Sequence, residues 1–137
     1  MLKQLPWYPA LNPTEYLKIA DELTSRPESS ALRTAADRAY YAAFLTCRDL
    51  LAEKDYFTPR YSSDDHTDLT SALKRKDVLG TYGNQEFRLR RARNCINYLT
   101  CDISSSTIDA RPLDWMLKTA REIISKVEAL PQRSTKS

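Results

Sequence analysis

Apolar residues in this chain recur every third or fourth position in several separate stretches, and no stretch alternates in the way a half-buried strand would. The pattern therefore predicts helices. The stretch that organises the rest is residues 30–53, SALRTAADRAYYAAFLTCRDLLAE. It has no Gly or Pro, and Ala and Leu, which lose little freedom in a helix, dominate it, so roughly six turns of helix are expected. Leu32, Ala35, Ala36, Ala39, Ala43, Cys47, Leu50 and Leu51 make its buried stripe. Small residues in the middle admit a close neighbour, and Tyr40, Tyr41 and Phe44 supply bulk around them. Such a helix belongs at the centre of a bundle.

Four further helices are read around it. Residues 1–11, with Trp7, Tyr8 and two prolines, form an extended lead-in. Asn12 as cap, Pro13 at the first position and Glu15 then start a helix with Tyr16, Ile19, Ala20 and Leu23 on its apolar side, ended by Pro27. Ser29 or Ser30 is expected to cap the central helix. After an irregular loop at 55–63, Ser62, Ser63, Asp64 and Asp65 read as a cap with first-turn acids, opening a shorter helix that carries Leu69, Ala72 and Leu73. Lys74, Arg75 and Lys76 fall in its last turn, and Gly80 and Gly83 mark a connection. A fourth helix over about 84–99 has Leu89, Ala92, Ile96 and Leu99 as its stripe. A polar loop from Cys101 to Arg111 leads to a last helix opened by Pro112. Its stripe is Leu113, Leu117, Ala120, Ile124 and Val127, thickened by Met116, Ile123 and Leu130. Pro131 ends it, and residues 132–137 read as a mobile tail. The expected architecture is an all-α antiparallel bundle of about five helices, one domain spanning 12–131.

Composition narrows the class without naming an activity. A chain of 137 residues, 42% hydrophobic and 28% charged, describes one ordinary globular domain. A formal charge of +3 permits an anionic partner without demanding one. Cys47, Cys95 and Cys101 form no CxxC pair, which points to a reduced, cytoplasmic setting. No apolar run is long enough for a membrane span or a signal peptide. One histidine in the chain argues against zinc, and no cofactor is implied.

Candidate chemistry is sparse. P-loop, GxGxxG, HExxH and GxSxG signatures are missing. Asp64 and Asp65 read as helix-capping acids. The richest segment is Arg88-Leu89-Arg90-Arg91-Ala92-Arg93-Asn94. Helical spacing divides it into one edge with Arg88 and Arg91 and another with Arg90, Arg93, Asn94 and Asn97. Guanidinium groups bind phosphates bidentately, which suits RNA or a nucleotide. From composition alone, a solvated face pairing with neighbouring acids is the simpler account. His66 titrates nearest neutrality, reads as an exposed surface residue, and in a helix's first turn is favoured in its neutral form. The tyrosines fall in apolar stripes and read as core.

Arg33-Thr34-Ala35-Ala36-Asp37-Arg38-Ala39-Tyr40-Tyr41-Ala42-Ala43-Phe44 resembles the R-x-A-x-S-R-A-Y-Y-A-A-F helix of the HEPN superfamily. Asp65-His66-Thr67-Asp68-Leu69 is similar to a later His-x-x-Leu helix opening, and Leu89-Arg90-Arg91-Ala92-Arg93-Asn94-Cys95-Ile96-Asn97-Tyr98 to the L-R-x-x-R-N-x-A-D-Y helix. The three segments occur in the family's order over roughly residues 14–130. The resemblance implies a bundle that dimerises. Many members are metal-independent endoribonucleases that use an arginine, four to six intervening residues, and then a histidine. Others are non-catalytic partners of nucleotidyltransferases in toxin–antitoxin pairs. Arg93 then takes the motif arginine and Asn94 the polar residue after it, although Arg91 also fits the longest spacing. Tyr98 stands where the histidine belongs, so the motif is degenerate. A tyrosine near its ordinary pKa is a poor base for the ribose 2′-OH, which leaves His66 as the substitute if the fold or the dimer carries it to Arg93.

Three readings follow. One is an RNA- or nucleotide-associated domain using Arg90, Arg91, Arg93, Asn94 and Asn97. Another is a ribonuclease using Arg93 with His66 or Tyr98. The third is a non-catalytic dimerising partner of a nucleotidyltransferase or other effector.

Overall fold

The structure, a computed structural model, describes residues 12–98 and 111–134, the side chains of 97, 98, 111 and 112 excepted. The expected lead-in and the loop from Cys101 lie outside them. Five α-helices form an all-α bundle: α1 (Thr14–Thr24), α2 (Ser29–Glu53), α3 (Asp64–Leu73), α4 (Asn84–Tyr98) and α5 (Arg111–Glu128), with a 3-10 turn at Gly80–Gly83 before α4. No described helix is long and apolar enough to cross a membrane.

Helix α2 is the centre, touching each of the other four helices. Its alanines explain why. Ala35, Ala36, Ala39 and Ala43 are buried in the core with Cys47 and Leu51, while Leu32 and Leu50 pack half-buried at its margin. Tyr40 and Phe44 complete the packing that the small residues leave open. Helix α5 presents the expected stripe, with Leu113, Met116, Leu117, Ala120, Ile123, Ile124 and Val127 all buried.

Several local expectations change. Ile19 is exposed, and Leu17 with Leu23 packs on the core instead, so α1 is rotated by part of a turn. Asn12 does accept the Thr14 N–H, at 3.1 Å. Neither Ser29 nor Ser30 caps α2. Ser29 lies within the helix, and its Oγ accepts from Arg33 Nε at 3.0 Å. Helix α3 stops at Leu73, which puts Lys74 at its cap position and Arg75 and Lys76 beyond it.

Two features hold the ends of this scaffold. Lys54, just past α2, donates through Nζ to the carbonyls of Val127, Glu128 and Leu130, at 3.0, 2.7 and 2.6 Å. It thereby supports carbonyls at and just beyond the end of α5, of which that of Val127 also accepts the Leu130 N–H at 3.1 Å. Beyond Pro131, Gln132 bonds Asp55 and the Arg133 N–H donates to the Lys54 carbonyl, so these two residues are anchored to the loop after α2.

Candidate functional site

Helices α2, α3 and α4 meet around one aromatic cluster. Tyr40, Tyr41 and Phe44 project from α2, and His66 comes from the first turn of α3. The His66 ring lies on Phe44 with centroids 4.0 Å apart and planes within 15°. Its Nδ1 is 2.5 Å from the Tyr40 hydroxyl. His66 is half-buried, not the exposed residue expected of it.

From α4, Arg93 lays its guanidinium over Tyr40 and Tyr41, 4.6 and 5.2 Å from the ring centroids. It also faces Asp37 at 3.5 Å, and its side chain is 11% exposed. Stacking on two electron-rich faces and one carboxylate holds its orientation. The fold thus brings His66 and Arg93 into contact with the same tyrosine. Arg90, one turn earlier, is half-buried with its guanidinium 5.4 Å from the Phe87 ring, and its charge acts on both Tyr40 and His66. Arg91 is exposed with its guanidinium 5.8 Å from the Phe87 ring, and Arg88 and Asn94 are exposed. The side chains of Asn97 and Tyr98 lie outside the described residues. Of the six side chains singled out in the sequence whose placement is described, His66, Arg90 and Arg93 come together, while Arg88, Arg91 and Asn94 do not join them.

Hydrogen-bond accounting fixes the protonation of the cluster. Tyr40 is fully buried, and burial pushes its pKa far up, so it is a neutral phenol. Among the described residues its only hydrogen-bond partner is His66 Nδ1. A buried O–H left without an acceptor is costly. Tyr40 therefore donates to Nδ1, and the neutral imidazole carries its proton on Nε2. Protonating Nδ1 would orphan the phenol proton. Partial burial, then the charges of Arg93 and Arg90, also hold the His66 pKa below its ordinary value, against an opposing pull from Asp65. His66 is thus a neutral N–H donor near pH 7, with its second lone pair already engaged.

Glu86 lies beneath this layer. It is fully buried at the start of α4, and its Oε1 contacts Thr70 Oγ1, which also donates to the His66 carbonyl at 3.0 Å. One hydroxyl has one proton, so Thr70 cannot donate to both. A protonated Glu86 resolves the count by donating to Thr70. Its other oxygen, Oε2, has no hydrogen-bond partner, which costs less for a neutral carboxyl than for a carboxylate. Burial likewise raises the Glu86 pKa above 4.5, against the Thr70 contact and the charges of Arg90 and Lys74.

A pH dependence follows with a definite sign. The folded state keeps a proton on Glu86 that the unfolded chain releases near 4.5, so stability falls as pH rises from there through the raised folded pKa. Glu86→Gln keeps a donor toward Thr70 and has nothing to ionise. Urea midpoints measured between about pH 4 and about pH 8 should slope downward for the wild type and flatten in that variant. Equal slopes in both proteins would show that Glu86 is not the group responsible.

The sequence reading missed Glu86, and it gave Asp65 the wrong role. Glu86 stands three positions before Leu89 in the buried register of α4, a detectable sign. Asp65 does not act as a helix cap. It is 1% exposed, and its two oxygens accept the backbone N–H groups of Arg60 and Tyr61, each at 2.8 Å. Only Asp64 remains exposed at the helix start, 3.7 Å from Arg60. Comparison with protein-family models, curated proteins and solved structures gives no match to this chain.

Proposed function

We propose that this chain is a HEPN-like, dimeric helical domain that binds RNA, holding phosphate at Arg90, Arg93 and His66 without cutting the strand. The observation that carries the reading is the shared cluster: Arg93 stacked on Tyr40 and Tyr41, with His66 hydrogen-bonded to Tyr40. Two guanidinium groups and an imidazole N–H then converge beside one aromatic wall, the donor set that a phosphate anion recruits. The same geometry argues against cleavage. Attack by a ribose 2′-OH needs a base with an available lone pair, whereas the His66 lone pair on Nδ1 accepts from Tyr40 and Nε2 holds a proton.

The test is metal-free RNA binding and cleavage, with EDTA present, on wild type beside Arg90→Ala, Arg93→Ala, His66→Ala and Tyr98→Phe, with native mass measured on the same samples. Each arginine variant should lose roughly 10- to 100-fold in affinity, the value of one charge-assisted contact, and should flatten the salt dependence by about one phosphate contact. A dimer should bind and leave the RNA intact. Cleavage lost in Arg93→Ala together with His66→Ala or Tyr98→Phe would instead make the protein a ribonuclease. Binding that ignores salt and all three basic-site variants would overturn the RNA reading in favour of a structural partner protein.

A further inference from the structure

We infer that the groove beside His66 is a nucleobase subsite, in which one unpaired base of the bound strand stacks against Tyr61. This rests on the RNA reading above and adds the part of the ligand that the arginines do not touch. The groove encloses about 350 Å³ and is lined by Tyr41, Phe44, Arg48, Tyr61, Ser62 and His66, with Asp65 at its border. That volume is at the small end of ligand pockets. Tyr41 joins the two regions, since its ring lines the groove and also lies under the Arg93 guanidinium.

Tyr61 is the unusual feature. Its backbone has φ 57°, a left-handed conformation that an aromatic residue seldom adopts. The buried Asp65 carboxylate holds it there by accepting the Tyr61 N–H and the Arg60 N–H before it. The ring presented this way is not packed into the core. It is 42% exposed at the groove's lip, with the Arg48 guanidinium 5.1 Å from its centroid. A strained backbone that directs an aromatic ring outward, over a groove, is the arrangement of a stacking platform.

Charge distinguishes the base from the phosphate. Asp65 borders the groove, and Arg48 is paired with Asp49 at 2.9 Å, so the groove offers little to an anion. Aromatic walls suit the flat, neutral face of a base, and every base has such a face. Phosphate is better placed past Tyr41, toward Arg90 and Arg93. The occupant is therefore a base of single-stranded RNA, because a paired base has no free face.

The experiment compares a short single-stranded oligoribonucleotide with an abasic strand of the same length, which has the phosphates but no bases. Binding of both is measured by fluorescence anisotropy to wild type, Tyr61→Asn, Tyr61→Phe and Arg90→Ala. Asparagine tolerates the left-handed backbone, so Tyr61→Asn removes the ring without adding strain. Tyr61→Asn should weaken the oligoribonucleotide about 5- to 100-fold and change the abasic strand by less than about two-fold. Tyr61→Phe should bind like wild type, and Arg90→Ala should weaken both strands. Unchanged oligoribonucleotide binding by Tyr61→Asn, with Arg90→Ala still weakened, would overturn the base subsite and leave the RNA reading standing. Equal losses on both strands in Tyr61→Asn would also overturn it, since the ring would then be acting through the fold. If wild type binds neither strand, both inferences fail.

Discussion

Replacing Gly83 with alanine is expected to destabilise the protein by about 3 kcal/mol, the upper end of the usual range for overpacking. The reason is a close approach of backbone to backbone. A Cβ at Gly83 would lie 2.4 Å from the Leu73 carbonyl oxygen, 2.5 Å from its carbon and 2.7 Å from the Lys74 nitrogen. None of these atoms belongs to a flexible side chain that could turn away. The end of α3 and the start of α4 would have to separate, opening the contacts of Leu69, Leu73 and Leu89 with the core. Gly80 provides the control. Its φ of +55° favours glycine, but a Cβ there meets nothing within 4 Å, so Gly80→Ala should cost only the conformational penalty of about 1–2 kcal/mol. Urea unfolding at constant m-value distinguishes the two. A Gly83→Ala midpoint no lower than that of Gly80→Ala would contradict this account of the α3–α4 junction.

Asp65→Ala should cost about 2–4 kcal/mol, because it strips acceptors from two part-buried N–H groups at once. The loss also releases Tyr61 from a backbone conformation that is unfavourable by about 1–2 kcal/mol for an L-residue, so the loop should relax. Asp65→Asn keeps one acceptor oxygen and should recover roughly half of the stability. Amide hydrogen exchange at Arg60 and Tyr61 gives the local readout, and both should exchange faster in Asp65→Ala than in Asp65→Asn. Exchange at those amides unchanged from wild type would mean that the carboxylate does not hold the loop.

The helices were legible because their signals are local. An alanine-rich stripe in α2 and a leucine–isoleucine stripe in α5 each specify a buried face within one segment, and both faces are buried as read. The helix start at Ser29 was not legible as a boundary, since a serine can cap a helix or lie inside it, and here Arg33 takes its oxygen. The site was legible only in halves. Arg90 and Arg93 are visible as one edge of α4, and His66 as the chain's only histidine. Their common partner, Tyr40, lies 26 positions before His66, and no local pattern pairs residues so far apart. Tyr40 looked like core, which it is, yet its hydroxyl fixes the histidine tautomer. Asp65 was hidden by an ambiguity of position: an acid in a first turn serves a helix dipole equally well whether it points along the helix or back to the preceding loop. Nothing in the composition around Tyr61 marks its left-handed backbone, because the cause is that carboxylate.

Lys54 also gives the molecule an unequal resistance to opening. Helix ends ordinarily fray, and a C-terminal helix is the usual place for a bundle to begin to loosen. Here three carbonyls at the end of α5 are tied by one ammonium to the residue that follows α2, and Arg133 returns a backbone bond to the same residue. The last turn of α5 therefore opens only when the foot of the central helix opens with it. The chain between Lys54 and Val127, which carries α3 and α4 with His66, Arg90 and Arg93 of the candidate site, is closed at its base by this non-covalent lock. Breathing of the α3 and α4 side of the site against the α2 wall thus takes place within a loop whose two ends are held at one point, so that side can loosen without the bundle coming apart from its C-terminal end.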